Sequence, residues 1–228
     1  MPNAVYAIVL LFLVVIQTSA HAGNCDGQKG SVIFEDDFAD DTGGWVHEVG
    51  PSWNAGFGKS GLTLRIHDPN TSFRFLNLTF AAAEGDFCAE AVMPKPPSAD
   101  TVARAGLVFL ANDFANFYVL MVGGDVPTIS NLQQSMIGLM RLDDGNWGTL
   151  GTWSEPKIKL DPESVVALRA VVKAKLITAS VNGVELKKVR FPGVGSNLKF
   201  GVYVETSKPV PAPGISFQFK RYKVTAGE

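Results

Sequence analysis

The sequence predicts an all-β protein, a β-sandwich or barrel built as a single domain over residues 31–226. Three observations predict it. About thirteen short segments after residue 30 alternate apolar and polar residues or run apolar over strand length. Turn residues separate them, and no segment sustains a helical period. No linker divides two cores and no repeat of fixed period stands out. Short strands at such spacing close into a sandwich or a barrel.

The elements follow in chain order. "SVIFEDDF" (31–38) starts apolar and ends in acid. In "GLTLRIHD" (61–68), Leu62, Leu64 and Ile66 alternate with Thr63, Arg65 and His67, the period of a half-buried strand. "TSFRFLNLTF" (71–80) sets Phe73, Phe75 and Asn77 against Arg74, Leu76 and Leu78. "GDFCAEAVM" (85–93) stops at "PKPPS", because proline has no amide to donate to a central strand. The pair 104–111 and 116–122 is apolar almost throughout, which implies a covered second face or a lined groove. Asn112-Asp113-Phe114-Ala115 is expected as a four-residue link around a type I turn. Residues 123–135 read as a long loop. "MIGLMRL" (136–142) and "WGTLGTW" (147–153) flank the turn Asp143-Asp144-Gly145-Asn146. "SVVALRAVV" (164–172) turns at Lys173-Ala174-Lys175 into "LITASV" (176–181). Asn182-Gly183 then marks a type I′ hairpin, since both central residues need positive φ. "VELKKVRF" (184–191), "NLKFGVYVE" (197–205) and "GISFQFKRYKV" (214–224) complete the set, with proline-rich "TSKPVPAP" before the last.

Residues 4–16, "AVYAIVLLFLVVI", are too short for the roughly 20 residues of a membrane span. Ala20-His21-Ala22 has the small-x-small form of a signal cleavage site. A signal peptide over 1–22 is therefore expected, giving a periplasmic or extracellular protein. The opening "MPN" lacks Lys and Arg, so an uncleaved membrane anchor is the competing reading. Cys25 and Cys88 suggest one disulfide tying an N-terminal tail (23–30) to the domain, against two free buried thiols. Closing that loop stabilises by roughly 4 kcal/mol in the chain-entropy view. The net charge of −2 argues against a nucleic-acid partner, which would need a basic stripe.

Six fragments stand in a familiar order: "EDDFADDTGGW", "GDFCAEAVM", "AGLVFLANDFANFYVLMV", "LMRLDDGNWGTLGTW", "VALRAVVKAKLITASVNGVEL" and "LKFGVYVE". Together they resemble the concanavalin A-like, laminin G-like jelly roll of secreted bacterial proteins. Trp45, Gly106, Phe109, Asn116, Phe117, Tyr118, Trp147, Arg169, Asn182 and Gly183 carry the likeness. Leu110 and Ala174 depart from it, where the pattern has Arg and Gly. The resemblance implies a two-sheet jelly roll. Its members include sugar-binding modules, glucanases, keto-disaccharide hydrolases and adhesive domains, so fold does not fix function.

Glucanases of this fold resemble one another in an E-x-D-x-x-E strand, and the sequence has none. Asp86 and Glu90 would share a face but sit roughly 13 Å apart, outside either glycosidase geometry. His21, His47 and His67 are scattered, and no zinc spacing or G-x-S-x-G elbow occurs. Asp36, Asp37, Asp40 and Asp41 are candidates for a structural calcium, a hard cation that takes several oxygens. The expected function is an exported, non-catalytic carbohydrate-binding module that grips a glycan or polysaccharide on aromatic rings. Its candidate rings are Trp53, Tyr118, Trp147 and Trp153, with Arg74, Arg104, Asn116 and Arg141 as polar partners. Alternatives are a keto-disaccharide hydrolase-like enzyme, and an envelope domain that binds protein and has no sugar affinity.

Overall fold

A computed structural model describes residues 25–47, 51–94, 102–124, 135–153, 158, 160–192, 198–207, 210 and 213–227. The expected signal segment and most of the 123–135 loop lie outside these residues, as does part of the 206–214 loop. Fifteen strands, numbered in chain order, form two antiparallel sheets. The back sheet runs β13 (Val184–Arg190), β12 (Leu176–Val181), β11 (Val165–Lys173), β6 (Gly85–Val92), β15 (Ile215–Thr225), β4 (Leu62–Ile66) and β3 (Trp53–Gly56). β1 (Val32–Asp36) pairs with β15 off this path. The front sheet runs β10 (Asn146–Trp153), β9 (Ser135–Asp143), β8 (Asn116–Gly124), β7 (Val102–Asp113), β14 (Lys199–Ser207), β5 (Ser72–Asn77) and β2 (Trp45–His47). The chain is a concanavalin A-like jelly-roll sandwich, in which strands far apart in sequence, such as β6 and β15, lie side by side.

Alternation builds the layer between the sheets. Leu62, Leu64, Ile66, Phe87, Leu168, Phe217 and Phe219 enter it from the back sheet. Phe73, Phe75, Leu107, Phe109, Tyr118, Leu120 and Phe200 enter from the front. Burying each such side chain contributes about 1.5–3 kcal/mol. Asn77 is the polar member that the alternation of 71–80 also sends inward. Its amide donates to Gly43 O at 2.6 Å and its oxygen accepts from the Thr79 and Phe80 amides, so its burial leaves no polar atom unmet.

The turns explain several sequence signals. Asn182 and Gly183 both have positive φ, 49° and 75°, as a type I′ turn needs. Ala174 and Lys175 do the same at 50° and 62°, so the expected Lys173-Ala174-Lys175 turn forms without a glycine. The link after β7 is shorter than the four residues expected. Asp113 pairs with Asn116, leaving two residues, because Asp113 Oδ1 accepts from Ala115 N at 2.7 Å and from Asn116 Nδ2 at 2.9 Å. β2 and β3, three and four residues long, are too short to show a period, and the sequence reading does not contain them. In "TGGW", a Cβ on Gly43 would sit 1.9 Å from Asp36 Oδ2 and 2.7 Å from Trp45 Nε1. Only glycine lets that carboxylate accept from the Trp45 indole, at 2.7 Å.

Candidate functional site

The outer face of the front sheet carries a second apolar cluster, separate from the main core. With Phe109, Tyr118 and Phe200 turned inward, the intervening residues Val108, Phe117, Val119, Met121, Leu76 and Tyr203 must point outward. The near-continuous apolarity of 104–122 thus serves two clusters, one on each face of the sheet.

This outer face is concave. Trp147 lies on β10 and Tyr203 on β14, four strand spacings away, about 19 Å on a flat sheet. Yet their rings are 5.9 Å apart, edge to face at 75°. Trp147 also meets Phe117 edge-on at 5.8 Å. Two aromatic side chains span that gap only if the sheet curls toward them. Curling also explains why Val108, Val119 and Tyr203 are buried although they point away from the main core. Gly106 shapes the same floor: a Cβ there would lie 2.8 Å from Val119 Cγ2 and 3.2 Å from Tyr203 Cβ. Trp147 itself stays 43 % exposed, above rings that are fully buried.

Polar groups gather beside the rings. Register places Arg74 opposite Tyr203 and Arg104 opposite Glu205. Arg104 pairs with Glu205 Oε1, and the Tyr203 hydroxyl donates to Glu205 Oε2 at 2.7 Å. Burial is the largest cause pushing the Tyr203 phenol far above its ordinary value of 10, and the Glu205 charge adds to it. The Arg74 guanidinium lies 5.5 Å from the Phe117 ring centroid and 5.9 Å from that of Tyr203, within cation–π range. A partly exposed indole, two buried rings, two guanidiniums, a carboxylate and Ser72 beside the Tyr203 hydroxyl therefore share one hollow. Glu205 is the carboxylate that the described strand residues present to this face. Both its oxygens are engaged, one by the Arg104 guanidinium and the other by the Tyr203 hydroxyl.

The structure brings together three of the sequence candidates, Arg74, Arg104 and Trp147, and disperses the others. Tyr118 points into the main core against Phe109 and Phe191. Burial raises its phenol above the ordinary range, which Arg141 opposes. Arg141 lies over that same ring at 5.8 Å and pairs with Asp143 at 2.8 Å, on the inward side of β9. Trp53 stacks on Phe73 at 3.9 Å, and Trp153 packs on the core beside Gly151. Asn116 sits at the rim, where its Oδ1 accepts from Asp144 N at 3.0 Å and ties two turns together. Phe117, Tyr203, Glu205 and Ser72 are absent from the sequence candidates. The alternation Phe200, Val202, Val204 in "KFGVYVE" is the signal that turns Tyr203 and Glu205 outward.

The acidic opening does not fit a calcium site. Asp36 accepts from Phe38 N and Trp45 Nε1, Asp37 from Ala39 N, and Asp40 from Thr42 N and its hydroxyl. The Thr42 bonds lower the Asp40 carboxyl below its ordinary range. Among the described residues no three His, Cys, Asp or Glu side chains gather as a metal would require. Cys25 and Cys88 form a disulfide on the outer face of the back sheet. There Glu90 accepts from Cys25 N at 2.9 Å, and Asp86 takes Arg169 and Gln28. No helix among the described residues is long and apolar enough to cross a membrane.

No protein-family model matches the chain, and no curated protein matches it by sequence. Solved structures match it by fold. A carbohydrate-binding module, CBM66, from Bacillus subtilis superposes with a TM-score of 0.58 at 14 % identity, covering 80 % of this chain and 94 % of that one. A protein of unknown function with a galectin-like fold, also from Bacillus subtilis, gives 0.59 at 11 % identity over 87 % and 97 %. A Bacillus licheniformis β-glucanase gives 0.58 at 11 % identity over 87 % and 99 %. At these identities the likeness is one of fold.

Proposed function

We propose that this protein is an exported, non-catalytic carbohydrate-binding module whose glycan lies in the concave front face. The observation that carries the reading is Trp147. It is an exposed indole set edge to face on buried Phe117 and Tyr203, beside Arg74 and the Arg104–Glu205–Tyr203 cluster. Sugars present flat C–H faces and a rim of hydroxyls. A ring platform takes the first, and fixed donors and acceptors take the second. The buried rings beneath Trp147 hold its orientation, which lowers the ordering cost of binding. Similar folds named for carbohydrate binding and glucan cleavage support a carbohydrate ligand. The engaged Glu205 favours binding over cleavage. Export is supported by the Cys25–Cys88 bond, which persists in oxidising compartments, and by the apolar run at residues 4–16.

A glycan array, run with calcium and again with chelator, tests the reading. Binding that Trp147→Ala reduces at least tenfold is the expected result. Silence in both conditions defeats the carbohydrate reading and favours a protein partner. Loss on chelation alone returns a calcium to the Asp36–Asp41 segment.

A further inference from the structure

On the outer face of the back sheet, β4, β15 and the end of β6 line an open depression of about 470 Å3. That volume is within the range of small-molecule sites. Its floor follows from strand register. Leu62, Leu64, Ile66, Phe217 and Phe219 fill the core, so Thr63, Arg65, Ser216 and Gln218 must face out. Thr63 stands opposite Gln218, Gln218 opposite Val92, and Arg65 opposite Ser216. Glu163 closes one side. Its backbone is held in the left-handed region at φ 65°, with its amide donating to Met93 O at 2.8 Å. A non-glycine residue in that region is sterically costly, so surrounding structure must fix it there.

The polar groups are partly held and partly available. Arg65 Nε donates to Ser216 Oγ at 3.0 Å, which orients the guanidinium. Gln218 Nε2 donates to Ser60 O at 2.8 Å, leaving its amide oxygen as an acceptor. Among the described residues no ion pair joins Arg65 to Glu163, although both line the same hollow. Among the described residues, the lining therefore combines a cation, an anion and three neutral hydrogen-bonding side chains at zero net charge, with no aromatic ring.

We infer that this depression is a second ligand site, taking a small neutral polyol such as a mono- or disaccharide unit. The choice of polyol rests on the carbohydrate reading, whereas the site is independent of Trp147. Each hydroxyl both donates and accepts, so vicinal hydroxyls use guanidinium donors alongside carboxylate and amide acceptors. A zwitterion would use Arg65 and Glu163 and leave Thr63 and Gln218 idle. Without a ring, recognition is by hydrogen bonds at the sugar edge, unlike the stacking of the concave face. Two sites on opposite faces let one module bridge two glycan chains.

Amide NMR of the protein tests this, titrated with glucose, galactose, N-acetylglucosamine, fructose and their disaccharides. The expected result is saturable shifts at Thr63, Arg65, Ser216 and Gln218 with at least one of these sugars. The shifts persist in Trp147→Ala, and affinity falls at least tenfold in Arg65→Ala and in Glu163→Gln. Shifts confined to the concave face defeat the second site and leave the proposed function standing. No shift on either face defeats both. Shifts that glycine, as a zwitterion probe, produces as strongly as the sugars overturn the polyol assignment.

Discussion

The front sheet turns Phe117, Val119, Met121 and Tyr203 outward beneath Trp147, whereas the back sheet turns out Asp86, Cys88, Glu90 and Arg169. On the back, the polar groups at the centre are committed to the protein itself. Cys88 is bonded to Cys25, Glu90 holds the Cys25 amide, and Asp86 is shared by Arg169 and Gln28. Arg221 adds pairs with Asp26 and Glu35. That face straps the start of the described chain onto the sandwich. The front cluster lies outside the inter-sheet core and carries an exposed ring. Equal alternation therefore yields a stabilising patch at the centre of the back sheet and a presenting patch on the front, and substitutions should separate the two.

The largest expected effect is on the strap. Replacing Cys25 and Cys88 together by alanine should lower unfolding free energy by about 4 kcal/mol in denaturant titration. Glycan retention by the surviving folded protein should not change. A parallel loss of binding would break the division between faces. Asp86→Ala leaves the Arg169 guanidinium without its acceptor and removes one of the two that Gln28 Nε2 uses, the Asp86 carbonyl remaining. Arg169 is about one third exposed, so water offsets part of the penalty, and a loss of about 2 kcal/mol is expected in the same assay.

The front face should answer in the opposite way. Trp147→Ala should cost at most about 1 kcal/mol of stability, because the ring is partly in water, while glycan affinity falls at least tenfold. A thermal scan beside the binding curve checks both, and about 2–4 °C is the expected limit of the shift. Tyr203→Phe removes the hydrogen bond to Glu205 and should cost about 1 kcal/mol. It should also weaken binding, since Glu205 and Arg104 lose a fixed neighbour; unchanged affinity would move the sugar away from this cluster.

The smallest effect is spectroscopic. Burial is the first cause raising the phenols of Tyr118, Tyr203 and Tyr222 above their ordinary value of 10. An acid whose folded pKa is raised stabilises the fold fully below its unfolded value, and that contribution fades as pH rises past 10 toward the folded value. An ultraviolet titration should therefore show none of these three tyrosines ionising near pH 10 while the fold persists. Phenolate absorbance appearing there before unfolding would contradict the packing around them.

Much of this fold was legible because alternation and turn chemistry are local. "GLTLRIHD" announces β4, Asn182-Gly183 announces a type I′ hairpin, and the opposed facing of Phe117 and Tyr118 follows from period two alone. Which of those two rings faces the hollow is not local. Tyr118 turns inward because Phe109 and Phe191 wait there across the layer, and Phe117 turns outward to meet Trp147 and Tyr203. The site depends on contacts among strands β5, β8, β10 and β14, whose residues span positions 72 to 207 and become neighbours only when the sheet forms and curls. Sequence by itself therefore determined most of the strands, the turns between them and the pairs of opposed side chains, since each depends on a few consecutive residues. Tertiary structure alone decided which member of each pair was available to a ligand, because that choice rests on which partners crowd each face.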